Sequence, residues 1–298
     1  MMKQRVVFCL LAALLLASCS PPPPEQQQTF RIGYMICNSE KETLDRFLPL
    51  TKYLSEKLGV RFEAVPIHTN EYMQHVEELD FTHTNSLLYI MMHRFNGVDI
   101  LAAEKRGSWG SGSQGVIITR KDSGIRSIED LRGRTMIFGP MLAPTGFMSQ
   151  VDLLQQAGID PEDDLAFYTI PPGSFKHEKV IYGVMFEKYD AGAIPIFDFE
   201  IMAEEGRIDP EDFVIVAKGP VIPYCNFGVT QRVDEKMAAR FKKAILDLTM
   251  EDTVEFNGER VSVLARTLTE GYEDITDSDF DIVRDLARRT NMPPYQEY

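Results

Sequence analysis

Basic residues are scarce in this chain: 31 Lys and Arg stand against 45 Asp and Glu, a formal net charge of −14. That excludes broad electrostatic binding of nucleic acid, which needs a basic face. Cysteine is also scarce, four in 298 residues, and no Cys-x-x-Cys or other metal-ligand spacing occurs. No Ser/His/Asp nucleophile motif, paired-carboxylate motif or metal-ligand cluster stands out. The chain is therefore expected not to be an enzyme and to need no cofactor or metal. Beyond the first twenty residues there is no long apolar run, so the body is expected to be soluble. No internal repeat is visible.

The one long apolar run lies at the start. Lys3 and Arg5 precede Val6 to Ala17, a stretch too short to span a membrane comfortably. It ends in Leu16-Ala17-Ser18-Cys19, which resembles the lipobox of bacterial lipoproteins. The resemblance implies cleavage before Cys19 and lipid on that cysteine, which would anchor the protein at a membrane, facing the periplasm or cell surface. Residues 1–18 are then a signal peptide, and 19–29 a lipidated cysteine with a Pro- and Gln-rich tether that cannot bury a core. Without Lys3 and Arg5 the basic count falls from 31 to 29 against 45 acidic residues, a net charge of −16. Any anion site must then act locally. With Cys9 removed and Cys19 lipidated, Cys37 and Cys225 remain. An exported location permits a disulfide between them; two free thiols are the alternative.

What is present is an alternation of strands and helices. Phe30 to Ile36, Val60 to Ile67, Phe81 to Thr84 and Asp99 to Ala103 read as strands, separated by helical segments. Ser39 with Glu42 forms a capping-box start for the first of these. A Gly- and Ser-rich loop from Gly107 to Gly115 carries the only tryptophan, and a second alternating region follows. Two amphipathic helices, Asp234 to Met250 and Asp277 to Thr290, close the chain. The fold class is α/β, two lobes each built on a mainly parallel sheet flanked by helices. The expected division is 30–115 with 225–298 for lobe 1, and 116–224 for lobe 2.

The stretch from Ile137 to Met148 holds the strongest local signal. Strand residues end at Gly139-Pro140, Ala143-Pro144 extends the turn, and Thr145 is a good N-cap for a helix ending near Gly158. A helix start beside glycine offers unpaired backbone N–H groups and suits an anion.

Taken together, these pieces resemble the phosphonate/phosphite-type periplasmic binding proteins of ABC importers. The resemblance rests on Arg31-Ile32-Gly33, Pro49 to Leu54, Arg120 to Ile125 with Asp130-Leu131-Arg132-Gly133, Thr145-Gly146-Phe147, Leu153 to Asp160, His177, Tyr189 to Ala193 and Ile222-Pro223. It covers about Phe30 to Met292. It implies a two-lobed fold with a small solute in the cleft, and chain crossings near Gly115 to Arg120 and Lys218 to Phe227. In that family a Ser-Thr-Ser-Gly run at a helix start and a later histidine hold the phosphonate oxygens. Here Ala143, Pro144 and Thr145 stand at the first three positions, so two hydroxyls are lost and Pro144 has no N–H. Either the ligand is a different anion or other groups substitute.

The expected ligand-binding residues are therefore Thr145, with Gly146 and Phe147 through backbone N–H, and His177. To these are added Asn85, Ser86 and Tyr89 at the end of the third strand, and Tyr34 after the first. Asp198 is expected to cap the following helix. The resemblance implies a monomeric partner of an ABC permease that captures a small oxyanion by hinge closure. A sensory lobe for a membrane receptor kinase is the main alternative, and an enzyme acting at Cys37 or Cys225 a further one.

Overall fold

A computed structural model of the protein describes residues 28–171, 177–293, 295, 296 and 298. The expected signal peptide, Cys19 and nearly all of the tether lie outside these residues, as does Lys176 beside His177.

The first sheet starts with β1 (Thr29–Ile36), which pairs in parallel with β2 (Arg61–His68) on one side and β3 (Phe81–Thr84) on the other. Between β1 and β2 runs α1 (Glu40–Leu58), whose Ser39 cap accepts the Glu42 N–H at 3.2 Å. After β3 comes α2 (Ser86–Asn96), capped by Asn85, and then β4 (Asp99–Lys105). The chain then passes to the second lobe. There β5 (Gly112–Arg120), β6 (Thr135–Ile137), β7 (Phe167–Thr169), β8 (Ala191–Pro195) and β9 (Phe213–Pro223) form a sheet ordered β7-β6-β8-β5-β9. Its helices are α3 (Ser149–Gln156), α4 (His177–Met185) and α5 (Ile196–Glu204). The chain returns as β10 (Asn226–Val229), followed by α6 (Glu235–Leu246) and the hairpin of β11 (Thr253–Phe256) and β12 (Glu259–Ser262). Last come β13 (Gly271–Glu273) and α7 (Asp281–Thr290). The first sheet is ordered β13-β4-β10-β3-β1-β2.

Both sheets are mixed rather than mainly parallel. In the first, β10 runs antiparallel to β3 and β4, and β13 antiparallel to β4. In the second, β6 is parallel to β7 and β8, but β5 is antiparallel to β8 and β9. The reason is the route of the chain. A strand that enters from the other lobe has no crossover helix to reverse its direction, so it pairs antiparallel. The crossings are short. The first is the stretch from Arg106 to Ser111, earlier than the expected Gly115, because β5 already pairs with β9 at Gly112. The second is Tyr224-Cys225. The two run side by side: the Glu104 N–H donates to the Cys225 carbonyl at 2.7 Å, and the Tyr224 N–H to that of Ser111 at 2.8 Å.

Each sheet is packed on both faces. One face of the first lobe is aromatic, with Phe81 stacked on Phe241 at 3.9 Å and edge-on contacts to Phe30, Phe62 and Phe227. The second lobe is packed mostly with aliphatic side chains. The lobes also touch. Leu142 and Met148 of the second lobe pack among the buried residues of the first. Helix α7 rests on both α2 and α3, where Arg289 grips the buried Asp152 at 2.8 and 3.0 Å.

Candidate functional site: the interlobe cavity

A cavity of about 270 Å³ lies between the lobes, where the ends of β1 and β3 face the turn after β6. Ligands of open α/β sheets sit at such carboxyl ends.

The wall from the second lobe is set by the expected stretch, with a different local geometry. Residues Pro144–Met148 form a wide π-turn before α3, and its cap position is Ala143 rather than Thr145. The Ala143 carbonyl accepts the N–H groups of Gly146 at 3.2 Å, Phe147 at 2.9 Å and Met148 at 3.4 Å. Gly146 and Phe147 therefore have no free N–H to offer a ligand. The fully buried Gln150 fixes this turn by donating to Thr145 O (2.7 Å) and to Val116 O and Ile194 O, both at 3.1 Å. The Thr145 side chain lines the cavity.

His177 opens α4, and its imidazole lies against Gly139 and Gly146. A Cβ on Gly146 would fall 2.3 Å from the ring Cε1, and one on Gly139 2.6 Å. Glycine at these two positions is what lets the ring reach the cavity. Nδ1 of His177 is buried without a partner. Burial lowers the imidazole pKa, and nearby Asp198 opposes that. Asp198 lines the same cavity with no cap bond to the start of α5; burial pushes its carboxyl up, against His177 and Arg106.

The wall from the first lobe includes Asn85 and Ser86. Asn85 accepts the Leu88 N–H at 2.9 Å and donates across the cleft to Leu142 O at 2.8 Å. Ser86 is fully buried, and its Oγ has no partner. Tyr34 and Tyr89 do not reach the cavity. Alternation along β1 turns Tyr34 into the aromatic face, stacked on Phe47 at 4.5 Å and bonded to Thr51 at 3.0 Å. Tyr89 lies one turn down α2, bonded to Asp277 at 2.7 Å and packed on Phe280. The Phe147 side chain is likewise core, against Phe138.

Two arginines complete this wall, and sequence reasoning missed both. Arg46 of α1 lies over Phe47 and donates to Thr267 O at 2.8 Å. Arg106, in the first crossing, lies 4.9 Å from the Tyr224 ring and donates to Glu104 at 3.0 Å. Nε of each is buried without a partner. Glu104 is 1% exposed and also bonds His83 at 3.0 Å. Burial alone would raise its pKa, but Arg106, His83 and Arg46 outweigh that and bring it down to about 2.

Cys37 and Cys225 both line the cavity as free thiols, not as a disulfide. They follow β1 and precede β10, which are separated in the sheet by β3. Two strand spacings come to roughly 10 Å, beyond the Cα separation a disulfide spans. Burial pushes the Cys225 thiol well up, the reverse of what a nucleophile needs.

A model of the family described as "ABC transporter, phosphonate, periplasmic substrate-binding protein" matches residues 32–280. The tetrathionate sensor histidine kinase TtrS of Salmonella typhimurium is 26% identical over 237 residues; the match covers 74% of this chain and 39% of that protein. The chain thus spans well under half the length of that relative. Among solved structures, PhnD1 of Prochlorococcus marinus in complex with methylphosphonate superposes with a TM-score of 0.73 at 16% identity, covering 88% of this chain and 98% of that one. A binding protein component of a Pseudomonas aeruginosa ABC phosphonate transporter gives 0.72 at 17% identity, with 89% and 88% covered. These two likenesses establish the two-lobed fold.

Proposed function

The chain belongs to the family of periplasmic phosphonate substrate-binding proteins of ABC transporters, and from that premise we propose that it captures a small oxyanion in the interlobe cavity by closing its lobes around it. That family consists of binding proteins, not enzymes. The observation that carries the reading is a set of buried polar atoms without partners on residues that line one cavity: Ser86 Oγ, His177 Nδ1, and Nε of Arg46 and Arg106. Buried donors left unpaired cost free energy, and an anion would satisfy them. Thr145 and Asn85 add polar edges. The arginines bring positive charge to a cavity that has lost the two hydroxyls at Ala143 and Pro144. The short crossings at 106–111 and 224–225 act as the hinge, and the Asn85–Leu142 bond spans the closing gap. Lipid on Cys19 would hold this monomeric capture unit at the membrane, next to a permease.

A second reading is favoured by the relative that is a sensor kinase. On that reading the same closure reports ligand to a membrane receptor rather than delivering it.

The test is a thermal-shift panel on the body from Pro24 onward, with phosphate, phosphite, methylphosphonate, 2-aminoethylphosphonate, sulfate and small sulfonates. A ligand at a hundred times its dissociation constant stabilises by about 2.7 kcal/mol, a shift of several degrees. We expect such a shift with at least one oxyanion, reduced in Thr145→Val and His177→Ala. A flat response to every anion would end the proposal.

A further inference from the structure

We infer that the cavity's occupant is a solute with anionic groups at both ends, one held by the Thr145 and His177 wall and the other by Arg46 and Arg106. This rests on the oxyanion reading above and narrows it.

Charge around the cavity does not balance. Among the described residues Arg46 makes no ion pair; it touches a peptide carbonyl and the face of Phe47 and acts on Glu104 from longer range. Arg106 has one carboxylate partner, Glu104, whose other oxygen is bonded to His83. Two guanidinium groups therefore share a single buried carboxylate, and each keeps a buried, unpartnered Nε. A partly buried guanidinium without a counterion is costly, and its planar fork suits a carboxylate, sulfonate or phosphonate head.

The other acids on the cavity do not make up the deficit. Glu178 and Glu205 are held by Arg207 at 2.9 and 2.7 Å. Glu42 accepts from Asn38 at 2.8 Å. Asp198 makes no ion pair among the described residues, and both His177 and Arg106 act on it from longer range. The basic end is thus left for a ligand.

The opposite wall is a separate set of donors. Thr145 and His177 belong to the second lobe, whereas Arg46 lies on α1 and Arg106 in the crossing out of β4. Ser86, fully buried with a free Oγ, lies on the first-lobe side as well. A cavity of about 270 Å³ has room for more than one tetrahedral head. A short chain with a head at each end can meet the donors on both walls.

The experiment compares ligands matched in length, by calorimetry on the soluble body: ethane-1,2-disulfonate with ethanesulfonate, and 3-phosphonopropionate with propylphosphonate. 2-Aminoethylphosphonate serves as the zwitterion. We expect the two-headed member of a pair to bind at least about tenfold tighter, the worth of one charge-assisted contact. Arg46→Met should bring it down to the affinity of its one-headed partner, and Arg46→Lys should fall between. Far-UV circular dichroism and melting of both variants separate lost contact from lost fold. Equal affinity within both pairs overturns the inference and leaves the oxyanion reading standing. So does preference for the zwitterion that disappears in Asp198→Asn. If no anion of either kind binds, both fail together.

Discussion

On the second-lobe side, the part of the cavity wall that carries Thr145 comes from one short run of sequence, Gly139 to Gly146, with a histidine seated on its glycines. On the first-lobe side, Arg46, Ser86 and Arg106 come from a helix, the start of another helix and a crossing segment. The first of these walls is a matter of shape: backbone folded back on Ala143, and space kept open for an imidazole. The second is a matter of charge: two guanidinium groups balanced over one buried carboxylate. A shape-built wall depends on small residues staying small. A charge-built wall depends on groups that never touch the solute.

The largest effect should come from removing the carboxylate that balances the charge-built wall. Glu104→Gln leaves Arg106 and His83 without their buried carboxylate, and we expect a stability loss of about 3–5 kcal/mol in a urea melt. Its sign with pH follows from a folded-state pKa of about 2 against an ordinary value of 4.5. The wild-type contribution is fully present above pH 4.5 and is lost as pH falls from there toward 2. By linkage it amounts to about 3 kcal/mol, and it should be missing from the variant's pH profile. A melt in which Glu104→Gln matches wild type would mean that this wall is not built on charge.

The next effect is on the shape-built wall and should separate binding from stability. Gly146→Ala puts a methyl 2.3 Å from the His177 ring, which must move. We expect oxyanion affinity to drop by roughly tenfold or more, with overpacking costing only about 1–3 kcal/mol. Unchanged affinity would show that the imidazole does not need its seat.

The smallest effect concerns protons. Burial holds the His177 pKa below its ordinary value, so the free protein carries a neutral ring at neutral pH. An anion favours the imidazolium, so binding takes up a proton there and affinity rises as pH falls, with His177 contributing no more than about tenfold per pH unit. Asp198, its carboxyl raised beside the same ring, titrates in the same sense. His177→Asn should flatten the slope and leave only the Asp198 part; a slope that this substitution leaves intact would assign the proton elsewhere.

The contrast between the walls also explains what could be read in advance. The alternation of strands and helices and the Ser39 cap are local patterns, and they reappear in the structure. Thr145 and His177 lie beside a turn whose glycines and prolines announce themselves. Tyr34 and Tyr89 were misplaced because a strand buried on both faces and a helix buried all round carry apolar residues everywhere, so pattern does not say which side faces the cleft. Arg46 and Arg106 had no local signature at all. Their meaning arises only once β4, β10 and α1 are brought together around Glu104. Likewise, the distance between Cys37 and Cys225 is set by β3 lying between their strands, which no spacing along the chain reveals.

The position of β10 in the centre of the first sheet, between β3 and β4, bears on the order in which the protein can assemble. All five strands of the second lobe occur in one unbroken run, so that lobe can complete itself as soon as its own residues are available. The first lobe cannot. Its sheet keeps an open slot, flanked by two unpaired strand edges, until the chain has made the whole second lobe and come back. An early-made half that waits for a late-made strand is exposed to the wrong partners in the meantime. For this protein the vulnerable stage of folding belongs to the lobe that is made first.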